Sequence, residues 1–375
     1  MAHVFERQIG GRTLRIESGK LALQAGGSVT VTYGDTVLLV TATATPQPRE
    51  GLDFLPFTVD YEERLYAAGK IPGSFFRREG RPTTDAVLAM RQVDRPLRPM
   101  FPKNLRNEIQ VVITSLSADQ ENIPDILGII GASAAVSISD IPFDGPVAGC
   151  RIGYVNGELV VNPTFQQLED SALDLVIAGT KDAVMMVEAG AGEVSEALLL
   201  QALKLGQIIN AEVVELQEEL VRQVGKAKFQ VPELEHASKA VTDAVVSMVN
   251  GRLESVMLDA NDKADREGSI ARLKADVIAR LSQHDARDVA GAYDELVRTV
   301  VRDAIVHKGI RPDGRKMKEI RAISCEVGLL PRTHGSGLFT RGQTQVLSVT
   351  TLGSMSQQQR LDTIGVQDTK RYKHH

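Results

Sequence analysis

The chain has 375 residues, of which 43% are hydrophobic, and this length and composition predict a globular protein of two or three domains. Its formal net charge of −5 excludes a positive field over the whole surface, so any contact with nucleic acid must be local. The only two cysteines, Cys150 and Cys325, exclude a disulfide framework or a zinc knuckle and fit a reducing cytoplasm.

The first half of the chain alternates predicted strands and helices. Residues 28–45, "SVTVTYGDTVLLVTATAT", alternate apolar residues with Ser or Thr, which predicts a β-hairpin that turns at "GD". A helix is predicted over about 84–94, opened by Thr84 or Asp85 and ended before Pro96. Further strands are predicted in "EIQVVITSLSA", "ELVVNPTF" and "LDLVIAGTKDAVMMVEAG". Strands interleaved with helices indicate a mixed α/β domain.

A helix of small residues is predicted in "PDILGIIGASAAVSIS". Its uncharged apolar part, residues 126–139, is shorter than the ~18 residues that a membrane span needs. The N-terminal segment has no apolar run with a basic flank. The sequence therefore predicts neither export nor membrane insertion.

The loop "GSFFRREGRP", residues 73–82, places two aromatic rings beside three arginines. Neighbouring side chains of a strand point to opposite faces, so Phe75 and Phe76 cannot both face a core, and at least one ring is expected to be exposed. Exposed rings beside arginines suit the bases and phosphates of single-stranded nucleic acid. The loop lies in a basic segment, residues 64–106, with ten Lys or Arg against three acids. The alternative is that the rings anchor the loop in a core or a subunit contact while the arginines are solvated.

The pattern changes at about residue 193. Apolar residues recur at intervals of three and four over 194–224, and residues 232–307 contain only charged amphipathic segments, which predicts an all-helical region. The acidic stretch "DANDKADREG" lies within it and resembles a calcium loop. Counted from Asp259, the sixth position is Ala264, where such a loop requires glycine, so a solvated turn is favoured.

The chain also contains an internal repeat. "GSVTVTYGDTVLLVTAT" from Gly27 aligns without gaps on "GSGLFTRGQTQVLSVTT" from Gly335, at a constant offset of 308. The alignment keeps both glycines that flank the predicted strands. It predicts two copies of one α/β unit separated by helices.

These motifs together resemble bacterial polynucleotide phosphorylase, a family of 3′-to-5′ exoribonucleases. The resemblance runs through "GKIPGSFFRREGRP", "DRPLRPMFP", "SDIPFDGPVAG", "DAVMMVEAGAGEVSE", "RPDGR" and "HGSGLFTRGQTQVLSVTTLG". It implies an α/β (α+β) fold with a first ribonuclease-PH-type domain at 1–225, an all-helical linker domain at 232–307, and the start of a second ribonuclease-PH-type domain at 308–375.

The resemblance also implies a function and its partners. The expected activity is processive phosphorolysis of single-stranded RNA to nucleoside diphosphates in mRNA degradation, with Mg²⁺ and inorganic phosphate. The expected location is the cytoplasm, and the expected partners are RNA, a homotrimeric ring and an RNA-degradation complex, with no membrane. The implied RNA-binding residues are those of the loop, Phe75, Phe76, Arg77, Arg78 and Arg81.

A second basic cluster, Arg91, Arg95 and Arg98, is a weaker candidate for phosphate contact. The alternative is that these arginines pair with Asp94 and Asp85 or with a neighbouring subunit. Asp140 and Asp144, four residues apart on a predicted loop, could hold a metal ion in principle, but a capping or turn role is favoured.

The carboxylates that hold magnesium in the family are expected beyond His375, as are two further RNA-binding domains. The sequence given therefore predicts no catalytic residue and no metal ligand of its own. The alternative function is a non-catalytic module that binds RNA and assembles the ring. His334 and Arg341 are also candidates, but no Ser or Cys nucleophile is paired with the histidine in the sequence. His334 is therefore expected to be a turn residue.

We expect the purified polypeptide of residues 1–375 to release no nucleoside diphosphate from poly(A) with phosphate and magnesium. RNA binding alone does not supply the stabilisation of the transition state. The measurement is nucleotide release by chromatography, with a mock purification from the same host as the control. Phosphate-dependent release above that control would contradict the expectation.

Overall fold

The computed structural model describes residues 2–49, 52, 54–73, 75–231, 238–249, 251–258 and 263–374. The chain forms two compact units. One unit is Met1–Glu233 with Met355–His375, and the other is Leu234–Ser354. The predicted mixed α/β fold class with a helical region is confirmed. The predicted domain bounds stay a prediction, although residues 308–354 belong to the same compact unit as the helices and residues 355–375 belong to the first unit.

The first unit contains a six-stranded sheet in the order β1-β2-β3-β4-β6-β5. Neighbouring strands are antiparallel except for β5 and β6, which are parallel. The predicted hairpin is confirmed, with Tyr33 opposite Thr36 across the turn. The sequence patterns missed β1, β2 and β5. The strands are β1 His3–Ile9, β2 Arg12–Ser18, β3 Gly27–Tyr33, β4 Thr36–Pro48, β5 Phe57–Glu62 and β6 Asn107–Ser117.

A second, four-stranded sheet follows in the order β10-β9-β7-β8. Among the described residues of this unit, four α-helices accompany the two sheets, and the small-residue helix α2 is buried along its length from Ile126 to Ile138. The sequence patterns missed β7. The elements are α1 Thr84–Leu97, α2 Asp125–Ile138, β7 Ala148–Val155, β8 Glu158–Val161, α3 Phe165–Glu169, β9 Leu173–Gly179, β10 Val184–Ala191 and α4 Glu196–Val224.

Helix α1 runs further than its sequence predicts. The helix continues to Leu97, so the expected end before Pro96 is wrong. Proline in the last turn removes one backbone hydrogen bond, but both Pro96 and Leu97 are buried, and this packing outweighs the loss. The N-cap is Thr83, whose side-chain oxygen accepts the Ala86 N–H.

Helix α4 is long and apolar enough, by length and composition, to cross a membrane. One side of it nevertheless packs in the first unit, where Ala202, Gly206 and Val213 are buried. The buried amide of Asn210 donates to the Ile177 carbonyl of β9. Length and composition alone do not separate such a helix from the core helix of a globular domain, and these contacts identify it as a core helix.

The described part of the second unit contains four α-helices and a three-stranded antiparallel sheet in the order β11-β12-β13. A separate apolar core in this unit includes Val245, Val277 and Tyr293. The acidic stretch that resembles a calcium loop begins at residues 259–262, which lie outside the described residues. The elements are α5 Lys239–Val249, α6 Arg252–Leu258, α7 Lys263–Arg280, α8 Ala286–Lys308, β11 Ile323–Val327, β12 Gly335–Arg341 and β13 Thr344–Thr350.

The internal repeat is confirmed as repeated structure. Strands β12 and β13 begin 308 residues after β3 and β4. The pairing has the same offset, because Gly27 lies opposite Ala42 and Gly335 lies opposite Thr350. The two hairpins differ in burial: Val31 and Val40 are buried, whereas residues of the second copy, such as Val346, are exposed.

We expect the amides of β12 and β13 to exchange with deuterium at least about tenfold faster than those of β3 and β4. Buried side chains hold the first hairpin in a cooperative core, whereas the second hairpin has little apolar burial to oppose local opening. Hydrogen exchange with mass spectrometry measures both hairpins in one sample. Equal protection of the two copies would contradict this expectation.

Candidate nucleic-acid interface

The loop that follows β5 presents two aromatic rings to solvent. Phe75 is 93% exposed and Phe76 is 78% exposed. The two rings contact each other edge to face, with centroids 5.4 Å apart and planes at 84°. Neither ring is buried in the core of the described chain, so they do not anchor the loop there. An exposed aromatic pair offers π-faces to a ligand, at a cost in hydration that a folded chain otherwise avoids.

Hydrogen bonds hold the far side of the loop. One carboxylate oxygen of Glu79 accepts the backbone N–H of Leu65 at 3.2 Å, and the other accepts from the Arg64 guanidinium at 3.2 Å. Leu65 begins a single 3₁₀ turn, Leu65–Ala68, so Glu79 ties the loop to the segment directly after β5. Between the two ends, Arg77 has a positive φ of 51°, and its guanidinium donates to the Pro72 carbonyl at 3.4 Å. The chain therefore turns sharply and pushes the phenylalanines outward.

A cleft of about 330 Å³ lies beside the loop, within the first unit. Arg78 and Arg81 line it, together with Asp362 from near the end of the chain. Arg64, which also lines the cleft, is already paired with Glu62 and Glu79. Arg81 forms no ion pair among the residues that the structure describes. The cleft thus carries both arginines and carboxylates, and Phe75 and Phe76 do not line it.

Glu63 lines both this cleft and a second cavity of about 160 Å³. Burial raises the pKa of its carboxyl, while a hydrogen bond from Thr83 acts in the opposite direction. That bond joins the Thr83 hydroxyl to a Glu63 oxygen at 2.6 Å. Because Thr83 is also the N-cap of α1, Glu63 fixes the place where the loop ends and the helix begins.

The second basic cluster is partly paired. The Arg95 guanidinium donates to the Glu188 carboxylate, and Arg98 pairs with Asp94. Arg98 also donates to the Phe57 carbonyl at 2.9 Å and lies over the Phe57 ring. Arg91 is exposed and forms no ion pair in the described part of the chain. Arg98 thus pairs with Asp94, as the alternative expects, whereas Arg95 pairs with Glu188, a partner that the alternative did not name. Phosphate contact by the cluster stays a prediction.

Asp140 and Asp144 lie after the end of α2. Their backbone groups are engaged, since the Asp140 carbonyl accepts the Phe229 N–H and the Asp144 N–H donates to the Met100 carbonyl. The Lys228 ammonium donates to three carbonyls at this helix end, at 2.7 to 3.2 Å. Burial lowers the pKa of Lys228 to about 8, and nearby Asp140 opposes that shift. A cationic side chain therefore already occupies this helix end.

Among the described residues, no group of three or more His, Cys, Asp or Glu converges as a metal site would. The Nδ1 atom of His334 accepts the Leu352 N–H at 2.9 Å, so this histidine stabilises a loop end, as its sequence position indicates.

Sequence reasoning missed several residues at the base of the loop. Lys70 and Gln120 donate to the carbonyls of Thr363 and Gly365, which lie 293 and 245 positions further along the chain. Asp362 accepts the backbone N–H of Gly73, 289 positions before it. No local pattern marks such contacts. The sequence patterns also missed the buried Arg151, which pairs with Asp125 and Asp174 and joins α2 to the second sheet.

Three family models match this chain. The model of the 3′ exoribonuclease family, domain 1, matches residues 10–142 and again 319–369, and that of domain 2 matches 145–209. A model of the polyribonucleotide nucleotidyltransferase RNA-binding domain matches residues 240–316, the region predicted as a linker. The fold and these matches define a protein of the 3′ exoribonuclease class.

Polyribonucleotide nucleotidyltransferases from three bacteria match nearly the whole chain, and the chain belongs to their family. That of Heliobacterium modesticaldum is 53% identical over 99% of this chain and 53% of its own length. Those of Dehalococcoides mccartyi and Chloroflexus aurantiacus are each 50% identical, over 100% and 98% of this chain and 52% and 50% of their lengths. The chain thus spans about half the length of these relatives. A crystal structure of rice Rrp46 also matches, with a TM-score of 0.45, 13% identity, and coverage of 55% of this chain and 94% of that one.

We expect Phe75→Ala and Phe76→Ala to change the free energy of unfolding by no more than about 0.5 kcal/mol, because exposed side chains contribute little to the core. Phe101→Ala is the matched control. Phe101 is buried between Phe57 and Phe143, and its loss should cost about 3–5 kcal/mol. Urea denaturation measures all three variants. A loss at Phe75 or Phe76 comparable with that at Phe101 would contradict the exposed placement.

Proposed function

We propose that the protein is a polyribonucleotide nucleotidyltransferase that degrades single-stranded RNA from its 3′ end, and that residues 73–82 grip the strand. In this reaction an oxygen of inorganic phosphate attacks the terminal phosphodiester, and the bond to the 3′ oxygen of the preceding nucleotide breaks. The products are a nucleoside diphosphate and an RNA with a new 3′ hydroxyl. The observation that carries the proposal is the exposed pair Phe75 and Phe76 beside Arg77, Arg78 and Arg81.

The loop suits a strand of any sequence. Every base has a π-face, so stacking on an aromatic ring contributes about 1–3 kcal/mol per base without reading its identity. Guanidinium groups pair with phosphate oxygens, which are the same at every nucleotide. A grip made of these two contacts lets the strand advance after each nucleotide is removed.

The cleft beside the loop supports the same proposal. Its volume of about 330 Å³ is of the size that a small ligand requires, and Arg78 and Arg81 line it together with the carboxyl groups of Glu63 and Asp362. Glu62 and Glu79 are engaged with Arg64. The cleft would hold a phosphate or a sugar-phosphate unit next to a stacked base.

Magnesium and inorganic phosphate belong to the proposal as cofactor and co-substrate. Among the described residues no group of three His, Cys, Asp or Glu side chains converges, and Asp140 lies near the Lys228 ammonium, so no step is assigned to the metal through this chain. This observation favours a second candidate function for residues 1–375 taken alone, that of a non-catalytic module which binds RNA and assembles a ring.

We further propose a homotrimeric ring in the cytoplasm, which takes part in an RNA-degradation complex. Exposed apolar side chains on α4, among them Leu200 and Ile208, would suit a contact between copies of the chain. The cysteines fit that compartment, since Cys150 is buried and both are free thiols.

We expect the double variant Arg77→Ala/Arg78→Ala to weaken binding about equally for poly(A) and poly(U). Each phosphate contact on a single strand contributes about 0.7 to the slope of log K against log salt, so removing two should reduce the slope by about 1.4. Fluorescence titration of labelled oligonucleotides at several salt concentrations measures both quantities.

Arg15→Ala is the matched control, because Arg15 lies on β2, near the opposite edge of the six-stranded sheet from β5. Its removal takes away one positive charge without touching the loop, so the slope should stay unchanged. An unaltered slope in the double variant, or an equal change in the control, would contradict a phosphate grip at residues 73–82.

A further inference from the structure

A short hairpin near the end of the chain packs on the first unit beside the candidate grip. Its strands are β14 Gln359–Arg360 and β15 Thr369–Lys370, and the Leu361 N–H donates to the Asp368 carbonyl at 2.8 Å to close it. Residues 361–368 form its tip. The family model assigns this segment to the second copy of the repeat, yet it clusters with the first unit.

The tip is held by an apolar contact. Ile364 is only 4% exposed, and neighbouring Thr363 is 7% exposed. Ile364 lies against the cavity that Ala89 of α1 and Phe165 of α3 also line. Burial of the Ile364 side chain removes apolar surface from water, which favours the docked hairpin.

Polar groups of the first unit reinforce this contact. The Lys70 ammonium donates to the Thr363 carbonyl at 3.0 Å, and the Gln120 amide donates to the Gly365 carbonyl at 3.3 Å. Gln120 adopts a positive φ of 59°, which is uncommon for a residue other than glycine. Lys70 lies three residues before Gly73, so the hairpin tip contacts the segment that leads into the grip.

Asp362 contacts the grip itself. Its carboxylate accepts a hydrogen bond from the backbone N–H of Gly73, the first residue of the loop. A Cβ atom at residue 73 would lie 3.1 Å from that carboxylate oxygen, so the close approach favours glycine there. Glu79 holds the other side of the loop, and Asp362 is its counterpart on the side that leads to Phe75 and Phe76.

We infer that Asp362 is a positioning residue, which orients the RNA grip by fixing Gly73 from the tip of the hairpin. This inference rests on the proposed function, because it gives the hairpin a part in RNA binding. Asp362 brings a negative charge into a cleft that Arg78 and Arg81 also line. The negative charge of Asp362 alone would weaken RNA binding, whereas its hydrogen bond with Gly73 would strengthen binding by orienting the loop. The two effects on RNA affinity therefore have opposite signs.

The test places a fluorescent probe on the loop itself. The chain has no tryptophan, so Phe75→Trp introduces a single indole fluorophore that retains stacking. Three variants are made in that background: Asp362→Ala removes the acceptor, Asp362→Asn keeps an acceptor oxygen without the charge, and Asp368→Ala removes an exposed carboxylate of the same hairpin. The readouts are the anisotropy of the indole fluorescence without RNA and the affinity for a single-stranded oligonucleotide.

We expect Asp362→Ala to lower the indole anisotropy and to weaken RNA affinity about fivefold relative to Asp368→Ala, the scale of one hydrogen bond. Asp362→Asn should restore both values. Unchanged anisotropy in Asp362→Ala would overturn the inference, as would lower anisotropy with RNA affinity equal to that of Asp368→Ala. If the Phe75→Trp parent and the unmodified chain bind no RNA while the anisotropy changes as expected, the proposed function fails and the contact between Asp362 and the loop stands.

Discussion

Everything at the candidate interface depends on the close packing of helix α2 against the six-stranded sheet. A side chain at Gly27 of β3 would clash with the backbone carbonyl of Ala135, and one at Gly131 of α2 would clash with Val40 of β4. Gly128, three residues earlier, faces Tyr61 of β5 and Val93 of α1. Small residues therefore let the backbones approach more closely than larger ones would allow, and α2 holds β5 and α1 in place.

This packing determines where the proposed grip, residues 73–82, can lie. Strand β5 ends at Glu62 and helix α1 begins at Thr84, and both are fixed to α2. The segment between them cannot enter the filled core, so it crosses the surface. Its ends are tied by Glu79 to Leu65 and by Thr83 to Glu63. A loop with fixed ends and a sharp turn at Arg77 presents Phe75 and Phe76 outward without cost to the core.

The distribution of charge explains why a chain with net negative charge can offer a site to RNA. In α1 and its surroundings the arginines are compensated, because Arg95 pairs with Glu188 and Arg98 with Asp94. In the loop Arg77 donates to a carbonyl oxygen, and Arg81 has no carboxylate partner among the described residues. Salt screens the net charge beyond a Debye length, so short-range contacts dominate, and a few guanidinium groups suffice for a local site.

The sequence by itself determined part of the local structure, although not β1, β2, β5 or β7, and the composition of the candidate interface. Alternation with a "GD" turn predicted β3 and β4, small residues predicted α2, and the repeat at an offset of 308 predicted the matching hairpin of β12 and β13. Adjacent aromatic residues beside arginines marked the loop, since the constraint on neighbouring side chains acts within a few residues. Short motifs that occur in a fixed order along the chain were likewise enough to recognise the family.

Only the tertiary structure decided which side chains meet. It extended α1 past Pro96, because burial of Pro96 and Leu97 outweighs a lost hydrogen bond. It paired Arg95 with Glu188 and brought Asp362 to Gly73, contacts that span 93 and 289 positions. Local patterns contain no information about such pairs, since chain folding brings the partners together through a core shared with distant elements.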